Sequence, residues 1–310
     1  MKFYMAPLQS YTTTFYRKAH ALTFGEMSKY FTPFFEDTGA PIDSINFNPE
    51  LNSELNKQLY VVPQVATNSG SFLTAFANKM KNRGYKEINI NMGCPFPMLV
   101  KRQRGGGLLN QPDKIRQLLD PFEKAKSDIK LSVKMRLGLD DISQGLKVIQ
   151  ILNDYQLEEL ILHPRLVSQK YTGTPDWDSF AHLTQMSKHT IVANGNINNS
   201  KDLASIMDFN PHVNTFMLGR GLLTKPDLYT ELSQDNVQVT ATTIQQLHHH
   251  YFKLITSYYK DWNRAFNFLQ AFWHYPLSTS IEKQRLLRKL KKHNKPDLYS
   301  EWLALVKDII

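Results

Sequence analysis

The chain has 310 residues, 42% of them hydrophobic, enough for one large folded unit and a smaller one. Its formal net charge is +9, from 37 Lys and Arg against 28 Asp and Glu, so an anionic partner is expected. The single cysteine, Cys94, excludes an intramolecular disulfide and a multi-thiolate zinc site and points to the cytoplasm, and no apolar run is long enough for a membrane span.

The first apolar run, residues 3–6, stops at Pro7 and is too short for a signal-peptide core, so it is read as a strand. Further strand-like runs are predicted at 26–32, 60–65, 87–91, 129–135, 160–163, 190–194 and 214–218. Helical patterns lie between them, including 71–82, 113–125, 143–155 and 201–209, with start signals at Pro112-Asp113 and Asn199-Ser200. Strand ends at 134, 163, 194 and 219 are separated by 29, 31 and 25 residues. Eight βα units of that size predict an α/β fold, a (β/α)8 TIM barrel. No Gly-x-Gly-x-x-Gly turn follows the first strand, which speaks against an open dinucleotide-binding sheet.

Beyond residue 232 the strand signal ends. Segments 240–259, 263–274, 281–293 and 296–309, separated at Trp262, Pro276 and Asn294, read as a small helical bundle, with Leu286, Leu287, Leu290, Trp302, Leu303 and Val306 at three- and four-residue spacing. The expected division is a barrel over 1–235 and a helical domain over 236–310. Residues 240–310 hold 11 Lys or Arg against 5 Asp or Glu, so the basic excess is concentrated there. Arg285, Arg288 and Lys292 would share one helical face, either as a cationic stripe for a nucleic-acid backbone or as an ordinary solvated surface.

The loops after barrel strands share one face, where functional side chains gather. The strand ends here carry Pro7-Leu8-Gln9, Gln64, Asn91 and Cys94, Lys134, His163 and Arg165, Asn194-Gly195-Asn196, and Gly219-Arg220. Taken singly, each has an ordinary structural explanation; their joint placement on one rim does not. Cys94 sits on a constrained turn between Gly93 and Pro95, and a thiol with an ordinary pKa of about 8.5 is mostly protonated at neutral pH, so it can act as an acid. Lys134 follows the buried-strand pattern of Leu131, Val133 and Met135 and would stabilise negative charge at the rim, or else form a Schiff base as in aldolase-type barrels. The glycine-containing pieces after the seventh and eighth strands suit a phosphate, with Arg220 adding charge. Lys101, Arg102 and Arg104, on the loop after Cys94, are read as phosphate-gripping.

The run from Ile88 to Pro95, followed by Gly105-Gly106-Gly107-Leu108-Leu109, resembles the bacterial, FMN-dependent tRNA-dihydrouridine synthases. Lys134 to Gly138, His163-x-Arg165, Asn194-Gly195 and Gly219-Arg220-Gly221 follow in that family's order, across essentially the whole chain. The resemblance implies NADPH-dependent reduction of the C5–C6 bond of a uridine in the tRNA D-loop through bound FMN, with Cys94 as proton donor. It implies FMN contacts from Pro7, Leu8, Gln9, Gln64, Lys134, His163, Asn194, Gly195, Asn196, Gly219 and Arg220. Substrate contacts are expected from Asn91, Arg165, Lys101, Arg102, Arg104, Arg285, Arg288 and Lys292, in a monomer that grips tRNA with its helical domain and uses neither metal nor membrane. Departures from the family pattern are Asn196 where an acid is usual, Leu166 for Thr, Leu8 for Met, and a shortened glycine loop. An FMN-dependent dehydrogenase of free pyrimidines, or a tRNA-binding protein without catalysis, are the competing functions.

Overall fold

The computed structural model describes residues 1–233 and 241–307, so the expected boundary between residues 235 and 236 lies outside the described residues. Eight parallel strands form the barrel: β1 (Lys2–Met5), β2 (Lys29–Phe31), β3 (Val61–Val62 and Gln64–Ala66), β4 (Glu87–Met92), β5 (Lys130–Arg136), β6 (Leu160–His163), β7 (Ile191–Asn194) and β8 (Thr215–Leu218). β1 pairs with both β8 and β2, and the two halves of β3 pair with β2 and with β4, which closes the ring. Pro63 divides β3 because it has no N–H for the ladder, yet its carbonyl still accepts from the Asn89 N–H at 2.9 Å. Beyond Pro33 the line of β2 resumes at Phe35–Glu36 beside Val65 and Ala66.

Around the barrel lie α1 (Thr14–Phe24), α2 (Gly70–Asn82), α3 (Pro97–Lys101), α4 (Pro112–Lys124), α5 (Ile142–Leu152), α6 (Trp177–Met186), α7 (Ser200–Phe209), α8 (Arg220–Thr224) and α9 (Leu228–Ser233). The prediction of eight helical crossovers fails between β2 and β3. That segment holds only a short 3-10 turn, Ile42–Ser44, because Pro41, Pro49 and the turn-forming Asn46, Asn48 and Asn52 interrupt any helical register. It is pinned instead by the fully buried Arg17, which pairs with Glu50 at 2.8 Å and donates to the Glu50 carbonyl at 2.9 Å.

Within each strand the side chains alternate. Ile88, Ile90 and Met92 of β4, and Leu131, Val133 and Met135 of β5, join the apolar layer between sheet and helices. Tyr4, Phe31, Val62, Ile161, Val192 and Met217 form a separate, smaller apolar cluster inside the barrel. The inward positions of β4 and β5 are polar instead, with Glu87, Asn89, Asn91 and Ser132 all buried.

The C-terminal bundle comprises α10 (Ala241–Tyr258), α11 (Trp262–His274), α12 (Ile281–Leu290) and α13 (Pro296–Lys307). The expected helix starting at 240 and the one ending at 309 each run into residues outside the described ones. Trp262 does not separate helices but opens α11, whose cap is the Asp261 carboxylate accepting the Asn263 N–H at 2.8 Å. α12 stops at Leu290 rather than His293, because the chain turns there with three-residue bonds from Lys292 N–H to Lys289 O and from His293 N–H to Leu290 O. The bundle docks α10 and α11 on α1 through aromatic edges, with Phe15 at 5.4 Å from both Tyr258 and Phe268 and Tyr16 at 6.3 Å from Tyr251.

Gly145 of α5 packs closely on the chain leaving β5, where a Cβ would lie 1.9 Å from the Leu137 carbonyl oxygen. Gly145→Ala should therefore destabilise the protein by about 3 kcal/mol, read as a lower urea midpoint at unchanged slope. An unaltered midpoint would show that α5 can retreat freely from the barrel.

Candidate active site

A cavity of about 450 Å³ opens at the C-terminal mouth of the barrel. Twelve of the residues picked out from the sequence line it: Pro7, Leu8, Gln9, Asn91, Cys94, Lys134, His163, Asn194, Gly195, Asn196, Gly219 and Arg220. No Asp or Glu is among its lining residues, whereas Lys134, Arg136 and Arg220 are. The cavity is therefore built for a ligand carrying negative charge.

Cys94 stands on the turn that ends β4. The Asn91 Oδ1 accepts from the Gly93 N–H at 3.1 Å and the Cys94 N–H at 2.9 Å, so a side chain of the strand shapes the turn. The Cys94 carbonyl accepts from the Gly106 N–H at 3.0 Å. The glycine run is required here by close approach: a Cβ on Gly106 would fall 2.5 Å from Val167, and one on Gly107 would fall 2.5 Å from the Val100 carbonyl oxygen. Burial pushes the Cys94 thiol up, more strongly than Arg136 and Lys134 pull it down, so the thiol is protonated at neutral pH.

Burial and the neighbouring Arg136 bring the Lys134 ammonium down to about 7. It has no hydrogen bond or ion pair to any described residue, so an anionic ligand would restore its charge. His163 is held neutral by burial, reinforced by Lys134, Arg136, Arg165 and Arg220, and its buried Nδ1 has no partner. His163 lines the cavity, but with Nδ1 enclosed a bound group would meet the rest of the ring. Across the mouth, Gly195 takes φ +151°, where a Cβ would meet Pro164 at 3.0 Å and His163 Nε2 at 3.5 Å. Asn194 fixes the neighbouring strand by donating to the Met217 carbonyl at 2.7 Å. Leu8 belongs to a turn closed by its N–H donating to Thr12 Oγ1 at 2.7 Å.

Other expected contacts lie elsewhere. Gln64 is wholly buried beneath the cavity, with Nε2 donating to Asn89 Oδ1 at 2.7 Å and Oε1 accepting from Asn91 Nδ2 at 2.9 Å. Both ends of its amide are committed, so it supports the floor. Arg165 is equally enclosed, donating to Asn196 Oδ1 at 3.1 Å and to the Thr172 and Gly173 carbonyls at 3.3 and 2.8 Å. Asn196 thus supplies the oxygen that an acid would, but without its charge, and leaves the Arg165 guanidinium to add to the positive potential of the mouth.

The basic loop after Cys94 has local acidic partners. Arg102 pairs with Glu36 at 2.9 Å, and Arg104 lies 3.4 Å from Asp37 and bonds the Asp37 carbonyl, so both are neutralised by the line of β2. Only Lys101 remains exposed and unpaired among the described residues. Arg285, Arg288 and Lys292 are exposed without ion-pair partners among those residues, although Lys292 lies in the turn beyond α12 and not on its face.

Three lining features were not singled out from the sequence. Arg136 shares the inward period of Lys134, a signal present but unused. The Arg136 and Arg220 guanidinium groups lie 5.3 and 4.4 Å from the Tyr171 ring centroid, a cluster assembled from the end of β5, the start of α8 and the loop after β6. Tyr275 and Ser278 bring the helical bundle to the rim, with Tyr275 edge-on to Tyr11 at 4.9 Å.

The profile of the family described as dihydrouridine synthase (Dus) matches residues 4–301. The chain is 30% identical over 193 residues to a Saccharomyces cerevisiae protein named tRNA-dihydrouridine(47) synthase, NAD(P)(+), covering 54% of this chain and 28% of that one. It is 29% identical over 147 residues to tRNA-dihydrouridine synthase B of Pasteurella multocida, covering 47% of this chain and 44% of the relative. The chain thus spans less than half the length of these curated relatives. Among solved structures, histamine dehydrogenase from Rhizobium sp. 4-9 superposes with a TM-score of 0.56 at 13% identity, covering 75% of this chain and 45% of that one. Morphinone reductase gives 0.53 at 11%, covering 78% and 88%; both likenesses concern the barrel fold.

Removing a cation near a thiolate raises the thiol pKa further. Arg136→Met should shift the alkylation profile of Cys94 with iodoacetamide to higher pH, followed by mass spectrometry. A profile that stays put would show that the guanidinium does not sense the sulfur.

Proposed function

The chain belongs to the dihydrouridine synthase family, and from that premise we propose that it reduces the C5–C6 bond of a uridine in the tRNA D-loop, as a tRNA-dihydrouridine synthase. The observation that carries the reading is the Cys94 thiol on a fixed turn at a cationic cavity lined by no carboxylate. Adding hydrogen across a uracil double bond takes a hydride at C6 and a proton at C5, and Cys94 supplies the proton, its sulfur then taking one back from solvent. The chemistry assigned to bound FMN, recharged by NADPH, is delivery of that hydride.

The cavity fits such a group: the uncommitted Lys134 and the small Gly195 and Gly219 leave a contact and space for a flat ring with an anionic tail. Lys134 would hold negative charge on the ring. The backbone around Gly195, Asn196 and Gly219, with Arg220, would hold the phosphate. Asn91 would bind the uracil, which must leave its stack to enter the mouth. In this reading residues 1–235 form the catalytic domain and 236–310 grip tRNA through Arg285, Arg288 and Lys292, in a cytoplasmic monomer that needs no metal. Among the described residues no helix is long and apolar enough to cross a membrane, and no cluster of His, Cys, Asp or Glu could hold a metal ion.

Cys94→Ala should keep bound flavin and its reduction by NADPH, while dihydrouridine yield from unmodified tRNA falls by about two to four orders of magnitude. Full yield from the variant ends the proton-donor role, and a colourless wild-type protein without product ends the functional reading. Arg285→Glu with Arg288→Glu should weaken tRNA binding and flatten its salt dependence, with flavin content intact. Equal affinity and slope would leave α12 as plain surface.

A further inference from the structure

A file of buried side chains runs through the barrel from its N-terminal end to the Cys94 turn. Lys29 Nζ donates to Glu87 Oε2 at 2.7 Å and to Glu159 Oε1 at 3.0 Å, and Tyr4 donates to Glu159 Oε2 at 2.9 Å. From Glu87 the file continues as four links. Ser132 Oγ donates to Glu87 Oε1 at 2.8 Å, and Asn89 Nδ2 donates to Ser132 Oγ at 2.9 Å. Gln64 Nε2 donates to Asn89 Oδ1 at 2.7 Å, and Asn91 Nδ2 donates to Gln64 Oε1 at 2.9 Å. Asn91 Oδ1 then accepts the N–H groups of Gly93 and Cys94. Glu87, Asn89, Gln64 and Ser132 are 0% exposed, so water does not offer alternative partners.

Every link has a direction, and both ends dictate the same one. An ionised carboxylate can only accept, so Ser132 must donate to Glu87 and accept from Asn89. That choice turns the Asn89 oxygen toward Gln64, and the Gln64 oxygen toward Asn91. At the far end, backbone N–H groups can only donate, so they too demand the Asn91 oxygen. One Asn91 Nδ2 hydrogen is left without an acceptor among the described residues, on a side chain that lines the cavity.

We propose that Glu87, Ser132, Asn89 and Gln64 are positioning residues which fix the sense of the Asn91 amide, so that it braces the Cys94 turn with its oxygen and offers the cavity an N–H donor. Such a donor suits a ligand carbonyl and disfavours an amino group, which, if the functional reading above holds, selects uracil over cytosine.

Glu87→Gln tests the file with almost no change of shape. Lys29 can only donate, so it retains the amide oxygen of the new side chain and turns its NH2 toward Ser132, reversing the first link and leaving the Ser132 hydroxyl hydrogen only the longer bond to the Ile88 carbonyl, at 3.3 Å. Glu159→Gln removes the same charge beside the same lysine, but Glu159 hydrogen-bonds none of Ser132, Asn89, Gln64 or Asn91, so it serves as the control. With flavin-loaded protein, Glu87→Gln should lower kcat for tRNA about tenfold with KM within about twofold, and change the iodoacetamide alkylation rate of Cys94 at least about threefold. Glu87→Asp, which can only accept, should recover most of both, and Glu159→Gln should match wild type in both even if its Tm falls. The proposal is overturned if Glu87→Gln behaves as wild type, or if Glu159→Gln copies it. Should the wild type make no dihydrouridine, the functional reading fails while the alkylation comparison still decides this inference.

Discussion

A strand in a closed barrel has only two faces, and in β4 and β5 each is given to one kind of chemistry. Ile88, Ile90, Met92, Leu131, Val133 and Met135 face the helical layer, while Glu87, Asn89, Asn91, Ser132 and Lys134 take the opposite positions. A shift of one residue in either strand would bury the wrong set on both sides. The in-register pairing of Asn91 with Lys134 therefore does more than close a ladder. It brings the support of the Cys94 turn and the uncommitted ammonium to the same level of the mouth, and the other loops complete a cavity around them.

Charge is sorted with equal care. The chain is basic overall, but its cations divide into those that are neutralised locally and those that are not. Arg102 and Arg104 spend their charge on Glu36 and Asp37, and Arg17 on Glu50. Lys134, Arg136 and Arg220 meet no carboxylate at the cavity, where low dielectric magnifies their field. The positive potential of the mouth thus arises from the absence of acids as much as from the number of bases.

Most of the architecture was legible in the alternation and spacing of apolar runs. All eight strands lie within a residue or three of their predicted positions, because buried strands in a parallel barrel read as short continuous apolar runs. The missing helix between β2 and β3 was not foreseen, since its prolines and asparagines are visible but the regular spacing elsewhere argued for a repeat. At the site, the rim position of Cys94, Lys134 and His163 followed from strand ends alone. Gln64 and Arg165 could not be told from true wall residues, because whether a polar side chain at a strand end faces a cavity or a neighbour depends on partners distant in sequence. The partners of Arg102 and Arg104 were hidden for the same reason: Glu36 and Asp37 lie more than sixty residues earlier. Tyr275 and Ser278 carried no local signal at all.

The presence of Tyr275 and Ser278 on the rim has an energetic corollary. An occupant of the barrel mouth touches both the strand loops and the turn joining α11 to α12, so its binding energy is shared across the seam between barrel and bundle. Any molecule that prefers the assembled form stabilises that seam by mass action, in proportion to the logarithm of its concentration over its dissociation constant. Filling the mouth would then weld two lobes into one cooperative melting unit, whereas the empty protein could open first along the contacts of α1 with α10.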